Sequence, residues 1–294
     1  MAVSIASDNK AVREDLYGVI TNISPTETQL LSGLARTDAT AVNHEWPVDV
    51  LKTPGYNAQI EGADAAFTAR VAPTRKNNLC QILEVSFNVS ATADASNTAG
   101  MAKQYAYEMD KAMKEWSNDA EFALMRSTVI STSGSALRSM TSLKASITTN
   151  ATSQSGVSLS ENTLNDYLGT AWDQGGNPDE VYVGKTLKRR ISGFTAGNTK
   201  FVDSTDKRLV NAVDVYESDF GIIKLFKHRY ITQSGDNNLD IVGIQSDKFR
   251  VATLRSPQHV SLAKTGDSTK GMIVGELTLE FLAENSSFKG TAHL

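Results

Sequence analysis

The sequence has little cysteine and no long apolar run. Cys80 is the one cysteine among 294 residues, so an intrachain disulfide and a cysteine-based zinc site from one chain are both excluded. Cys80 is expected to be a small buried hydrophobic residue. No run of about 18 apolar residues occurs, as a membrane-spanning helix would need, so no membrane partner is expected. The start, MAVSIASDNKAVRED, lacks the basic flank and apolar core of a secretory signal, and we expect synthesis in a cytoplasm.

Motifs that carry catalysis or cofactor binding are also missing. The chain contains no GxGxxG, GxxxxGK[ST] or GxSxG pattern. The segment DNNLD at 236–240 has the first acidic spacing of an EF-hand loop, but Ile241 stands where the sharp turn needs glycine. We predict no catalytic residue, cofactor site or metal site, and hence no enzyme. The four scattered histidines are expected to be surface or strand residues rather than ligands: His44, His228, His259 and His293.

Charge gives a weaker indication. The net charge is −4, whereas a dedicated nucleic-acid-binding domain usually has a basic excess on one face. The one dense basic cluster comprises Lys185, Lys188, Arg189 and Arg190. We interpret it as a solvated helix face or as half of an intersubunit ion-pair set.

One long amphipathic helix dominates what is present. The segment AGMAKQYAYEMDKAMKEWSNDAEFALMRST at 99–128 has no proline and predicts a helix of about 45 Å, with its cap at 96–98. Spacings of three and four favour a helix that lies across a sheet. The apolar stripe comprises Ala102, Tyr105, Met109, Ala112, Met113, Trp116, Ala120 and Leu124. Polar residues are expected on the remaining face, namely Lys103, Asp110, Lys111, Lys114, Glu115, Asn118 and Glu121.

An oversized hairpin is predicted before this helix. Its legs are VNHEWPVDVL at 42–51, which contains Trp46, and NLCQILEVSFNVS at 78–90, where alternation marks a half-buried strand. The 25 or so residues between the legs show no core signal, and loops of that length are usually functional or mobile. Earlier in the chain, the segment SPTET at 24–28 predicts a helix start, with Pro25 at the first position.

The remainder predicts a mixture of helices and strands. Helices are expected at 136–145, 161–174 and 185–194, and strands at 180–183, 208–216, 221–230, 239–244, 249–254 and 258–263. A final strand at 271–282 is expected to bury Phe281 on one face and to expose Glu276, Thr278 and Glu280 on the other. Phe288 is the one large anchor of the last residues. The fold class is therefore α+β.

This order of elements resembles the tailed-bacteriophage major capsid proteins of the Hong Kong 97-type fold, and most closely the branch related to the SU10-type phages. The resemblance covers the whole chain. The segments that carry it are AVREDLYGVITNISPTETQLLSGL, NLCQILEVSFNVSATA, YAYEMDKAMKEWSNDAEFALM, ALRSMTSLKASITTN and GELTLEFLAENSSFKGTAHL.

The resemblance implies a role for each part. It implies an N-terminal arm (1–36), an extended loop that reaches over a neighbouring subunit (37–90), a peripheral domain with a spine helix (91–149 and 249–284) and an axial domain (150–248 and 285–294). It further implies a homo-oligomer of hexamers and pentamers that forms the icosahedral virion head. Partners would be decoration, scaffolding and portal proteins, with weak non-specific contact to packaged double-stranded DNA.

Candidate structural or interface residues are the large side chains of these elements: Trp116, Met109, Tyr105, Trp46 and Phe281. Trp116 and Met109 are expected to face the strand at 271–282. Three alternatives stay open. The chain could be the shell protein of a bacterial encapsulating compartment, a soluble α/β enzyme, or a fibre or tail protein, although fibres favour repeats and none is present.

Overall fold

The computed structural model describes residues 27–65, 67, 69–96, 103–127, 137–194, 214–231 and 239–293. Within these ranges the elements, in chain order, are α1 (Gln29–Gly33), β1 (Ala35–Asp38), β2 (Asn43–Val48), β3 (Thr74–Leu79), β4 (Gln81–Ser90), α2 (Ala91–Ala95), α3 (Gln104–Arg126), α4 (Leu143–Ser146), β5 (Ala151–Ser153), α5 (Glu161–Asp173), β6 (Glu180–Val183), α6 (Lys185–Phe194), β7 (Val215–Ser218), β8 (Gly221–Lys227), β9 (Leu239–Ile244), β10 (Phe249–Leu262), β11 (Ser268–Phe281) and β12 (Phe288–His293). No helix in the described ranges is long and apolar enough to cross a membrane.

The strands form three sheets. The four-stranded sheet has the order β1-β10-β11-β4, and the six-stranded sheet has the order β5-β12-β9-β6-β8-β7. Among the described strands, β2 and β3 pair only with each other and are antiparallel, with Val48 opposite Thr74. In the six-stranded sheet β6 runs parallel to β8 and antiparallel to β9. This mixture of helices and strands confirms the predicted α+β class.

The described chain divides into two compact units. One contains Glu84–Trp116 and Gln258–Val274, apart from the residues outside the described ranges. In it, the carboxylate of Asp94 accepts a hydrogen bond from the Tyr105 amide at 3.2 Å and so caps the start of α3. The other unit contains Thr28–Leu83, Ser117–Pro257 and Gly275–Leu294.

The core of the second unit lies where α5 and α6 cover the six-stranded sheet. Leu164, Leu168, Leu187 and Ile191 are the buried helix residues there, and Phe288 of β12 is fully buried among them. Apolar residues three and four apart on each helix make this face continuous. A Cβ atom on Gly243 would overlap the Phe288 ring, so a side chain there would displace this anchor.

Several sequence predictions are confirmed in this unit. The helices α5 and α6 and the strands β6 and β9 lie within a residue of their predicted bounds. Ser160 caps α5 by accepting the Thr163 amide at 3.2 Å, and Gly175, at φ +81°, ends it with a hydrogen bond to the Trp172 carbonyl.

Other boundaries are corrected. The helix α3 has 23 residues and begins at Gln104, because Lys103 before it is not helical. Ser96, a predicted cap of this helix, ends α2 instead, and the other two candidates, at 97–98, lie outside the described residues. The predicted helix at 136–145 is wrong. Only α4 forms, because the Ser142 side chain accepts the Ala145 amide and starts the helix there.

The hairpin and the later strands are also corrected. The second hairpin leg is β3, whereas β4 beyond Cys80 belongs to the four-stranded sheet. The two strands predicted at 249–254 and 258–263 are one strand, β10, despite Pro257. Since β1 pairs with β10 only as far as Thr253, no described strand covers that edge further on, and proline is tolerated at such an edge. At the N-terminus α1 begins at Gln29, and the predicted start at 24–26 lies outside the described residues.

Candidate assembly surfaces

The segment 49–73 joins β2 to β3 and is exposed at every residue whose burial is described. It carries six large apolar side chains that are 80–110% exposed: Val50, Leu51, Tyr56, Ile60, Phe67 and Val71. Single exposed apolar residues are normal, but a concentration of them marks an interaction site. The hairpin therefore presents an apolar surface that no other part of the described chain covers.

Trp46 and Phe281, two of the predicted residues, are brought together. The Trp46 indole Nε1–H donates to the Phe281 carbonyl at 3.0 Å, and the two rings meet edge to face at 5.0 Å. Trp46 is 5% exposed and Phe281 9%. This contact anchors β2 beneath the exposed segment, since a buried indole requires a partner for its N–H group.

Tyr105 lies in a separate aromatic cluster. Its hydroxyl is 2.9 Å from His259 Nε2, and its ring is 5.2 Å from that of Phe87. A Cβ atom on Gly271 would come within 2.7 Å of both Phe87 and Tyr105, so glycine lets the rings approach the strand. The cluster ties the start of α3 to its neighbours in the same unit.

Trp116 and Met109 lie further along α3. Trp116 is 3% exposed and Met109 is half-buried. Their predicted contact with the strand at 271–282 stays a prediction. The sequence predicts that Met113 belongs to the apolar stripe, but Met113 is 38% exposed. It lies about 100° around the helix from the buried Ala112, at the edge of the stripe.

Glu121 is the main residue that sequence reasoning misplaced. The sequence predicts that Glu121 lies on the polar face of α3, yet it is fully buried. Its two carboxylate oxygens accept the amides of Leu30 and Leu31, each at 2.8 Å, and His228 Nε2 lies 2.8 Å from Oε1. The Tyr230 amide donates to His228 Nδ1 at 3.3 Å, so Nε2 carries the proton and donates to Glu121. The carboxylate therefore joins α1 to α3 and to the segment after β8.

The polar face predicted for β11 is also buried. Glu276 forms ion pairs with Arg255 at 2.6 Å and Arg138 at 3.7 Å, and Glu280 lies 3.3 Å from His44 Nε2. Both carboxylates are 6% exposed. The expected alternation fails because both faces of β11 are covered along this stretch, where every residue from Ile273 to Phe281 is buried. Only the distant partners make such burial tolerable.

The surroundings of Cys80 and of the histidines bear on whether any of them could be a reactive group or a metal ligand. Cys80 is fully buried, as predicted, and burial together with the charge of Glu276 raises the pKa of its thiol to about 11, against a smaller opposing effect of Arg138. His44, His259 and His293 lie in the strands β2, β10 and β12, which agrees with the prediction of surface or strand positions. His228 lies outside the strands and is buried just after β8. Within the described ranges no group of His, Cys, Asp and Glu side chains could hold a metal ion. Of the EF-hand-like fragment, only Leu239 and Asp240 are described, and Asp240 pairs with Lys144.

The described residues thus combine buried, paired carboxylates with an exposed apolar segment at 49–73. This combination is typical of a structural subunit that binds other chains. The fold is the Hong Kong 97-type shell fold. A chain from Mycobacterium phage Adephagia matches with a TM-score of 0.66 at 13% identity, covering 100% of this chain and 98% of that one. The SrpI encapsulin of Synechococcus elongatus PCC 7942, solved as a holo complex, matches with a TM-score of 0.63 at 8% identity, covering 99% and 95%.

The chain belongs to the SU10 major capsid protein family, whose model matches residues 4–292. The major capsid protein of Escherichia phage Phieco32 is 28% identical over 122 residues, which are 41% of this chain and 35% of that relative. The match thus spans about a third of the relative's length. The chain is therefore a major capsid protein of phage virions and not an enzyme, as the sequence predicted.

Proposed function

We propose that the chain assembles with copies of itself into hexamers and pentamers, and that these close into the icosahedral head shell around the phage genome. The observation that carries this proposal is the segment 49–73, with six large apolar side chains 80–110% exposed. A second copy of the chain is the partner that a major capsid protein meets most often.

The energies favour such a contact. Full burial of one large apolar side chain stabilises by about 1.5–3 kcal/mol, whereas association costs about 4–15 kcal/mol. Burial of most of the six on a neighbour would offset that cost. Because the segment extends from a two-stranded hairpin, it can adjust to several slightly different neighbours, as a closed shell made of one chain requires.

The domain roles are part of the proposal. Residues 1–36 would be the arm, 37–90 the extended loop, 91–149 and 249–284 the peripheral domain, and 150–248 and 285–294 the axial domain. Two features support this division. The hairpin of β2 and β3 falls within the loop, and β12 pairs with β5 and β9 of the six-stranded sheet.

Further partners belong to the proposal as well. Decoration, scaffolding and portal proteins would bind the shell, and packaged double-stranded DNA would touch its inner surface weakly and without sequence preference. The net charge of −4 supports weak contact rather than tight binding. The chain would be made in the host cytoplasm.

A hairpin replacement tests the proposal. Since Val48 faces Thr74, an Asn-Gly turn can replace residues 49–73 and join β2 to β3 directly. A deletion of the whole stretch between the two predicted legs, residues 52–77, would instead remove much of β3. We expect the variant to remain folded and soluble but to form no closed particles, whereas the wild-type chain forms megadalton particles in size-exclusion chromatography with light scattering.

The matched control is Glu61→Gln with Asp64→Asn, which changes polar residues of the same segment and leaves its apolar side chains intact. It should close shells in electron micrographs like the wild type. Closed particles from the replacement variant would contradict the role of the hairpin. A wild-type chain that stays monomeric or dimeric under all conditions would contradict shell assembly itself.

An encapsulating-compartment shell is a second candidate, favoured by the fold likeness to the SrpI encapsulin. The two shells differ in content. Particles from infected cells that protect DNA from nuclease support the phage head, whereas particles that hold host protein and no DNA support the compartment.

A further inference from the structure

A basic cleft lies beside α6 at the carboxyl end of β8. Its volume is about 860 Å³, and it is lined by Lys188, Arg189, Arg190, Asp214 and Lys227 among others. Lys188 is buried and pairs with Asp214 at 3.0 Å. That pair leaves Arg189, Arg190 and Lys227 as the excess positive charge of the cleft. Arg190 Nη1 is buried without a hydrogen-bond acceptor among the described residues.

An acidic and aromatic end lies at the opposite end of the same sheet. Trp172, near the end of α5, is 59% exposed and lies 6.3 Å from the ring of Phe220. Asp173 and Asp219 flank this ring pair and are exposed. Neither carboxylate forms an ion pair with another described residue. Tryptophan is enriched among the residues that contribute most of the binding energy of interfaces, so exposed Trp172 is a candidate interface anchor.

The basic cleft and the acidic and aromatic end lie at opposite ends of β8. The strands β6 and β8 are parallel, and Val183 at the end of β6 lies opposite Lys227 at the end of β8, next to the cleft. Phe220 precedes the first residue of β8, seven residues earlier along the strand. At about 3.3 Å per residue the two ends are about 23 Å apart. They cannot neutralise each other within one chain.

We propose that the acidic and aromatic end of one copy docks into the basic cleft of the next copy, head to tail. Repetition of such a heterologous contact around an axis closes a ring, and the proposal rests on the shell assembly proposed above. Trp172 would supply the buried anchor and Asp173 and Asp219 the charge that the cleft lacks. Guanidinium groups such as that of Arg189 also stack favourably on indole faces.

Charge reversal at each end, separately and together, tests this contact. Arg189→Glu with Lys227→Glu reverses the cleft, and Asp173→Lys with Asp219→Lys reverses the other end. Each pair places like charges in contact, and we expect it to raise the concentration needed for particle formation at least about tenfold, equivalent to about 1.4 kcal/mol per contact. The four substitutions in one chain restore opposite charges and should restore closed particles.

Lys224→Glu is the matched control. Lys224 is exposed on β8, but it alternates with the core residues Ile223 and Leu225 and so lies on the face away from α6. This variant should assemble like the wild type. Circular dichroism and thermal unfolding would confirm that every variant folds, which separates loss of the contact from loss of structure.

Each outcome decides. Loss of particles with either reversed pair and recovery with all four would support the contact. Normal assembly of the reversed pairs, or no recovery in a folded fourfold variant, would overturn it. Shells of the cleft variant that close normally but retain less DNA would show that the cleft meets the genome instead. Wild-type protein that forms no particles would overturn the proposed function as well as this contact.

Discussion

Removal of the Glu121 carboxylate should destabilise the subunit severely. Glu121→Ala leaves three N–H groups without an acceptor, namely the amides of Leu30 and Leu31 and Nε2 of His228. An unsatisfied buried donor costs about 1–3 kcal/mol. Leu30 and His228 are buried while Leu31 is partly exposed, so two of the donors bear the full cost. We expect the free energy of unfolding to fall by about 3–5 kcal/mol.

Chemical denaturation of the hairpin-replaced subunit measures this loss without interference from assembly. Glu115→Gln is the control, since Glu115 is exposed on the same helix and should change stability by less than about 0.5 kcal/mol. Glu121→Gln keeps the volume but turns an N–H₂ group toward the donors, so it should be intermediate between the control and Glu121→Ala.

A double-mutant cycle isolates the link to His228. Because the imidazole donates directly to the carboxylate, His228→Ala and Glu121→Ala should couple by about 1 kcal/mol or more. A loss below about 1 kcal/mol for Glu121→Ala, or strictly additive effects in the cycle, would refute the assignment of Glu121 as the buried link between α1, α3 and the segment after β8.

Two further predictions concern single side chains. Trp116→Ala should lower the free energy of unfolding by about 3–5 kcal/mol because Trp116 is buried, whereas Met113→Ala on the same helix should have little effect; equal denaturation midpoints would contradict this. For Glu284, burial acts to raise the pKa, but hydrogen bonds from Thr149 and Thr148 outweigh it and the pKa is lowered. The contribution of Glu284 to the free energy of unfolding is therefore complete above the ordinary pKa of 4.5 and is lost as the pH falls below that value. Acid titration of Glu284→Gln should show a flatter decline in stability, and an unchanged profile would contradict the role of these bonds.

Sequence periodicity correctly predicted the elements that have one apolar face and one polar face. The helices α5 and α6 present a regular apolar stripe to one sheet. The helix α5 also has its start signal, Ser160, and its stop signal, Gly175, within two residues of its ends. The alternation in β4 also holds, with Leu83 and Val89 buried and Glu84 and Asn88 exposed. In each case burial is determined by positions close in sequence.

The misplaced residues depend on partners far away in sequence. Glu121 looks like a solvent-facing helix residue until the amides 90 and 91 positions earlier are known. Glu276 and Glu280 look like the wet face of a strand until Arg255 and His44 are placed beside them. Sequence periodicity does not show which distant residues will pair with a carboxylate. A buried, paired glutamate and an exposed glutamate therefore occupy the same polar positions in the periodic pattern.

The two ends of the proposed head-to-tail contact were partly visible. The basic cluster of α6 stood out by composition, but the sequence did not show that Lys188 is buried and paired while Arg189 remains exposed. The acidic and aromatic end was missed, because Trp172 and Phe220 are 48 residues apart and meet only through the turn before β8.

The exposed hairpin also bears on how fast shells must form. Exposed apolar side chains such as Tyr56 and Phe67 can be buried against any apolar surface. Such surfaces include the same segment of a wrongly oriented copy and an unfolded chain. In newly made subunits, ordered shell assembly therefore competes kinetically with aggregation, and the rates of both processes rise with subunit concentration. Yield in a host cell would then depend on the rate of synthesis as much as on the strength of the final contacts.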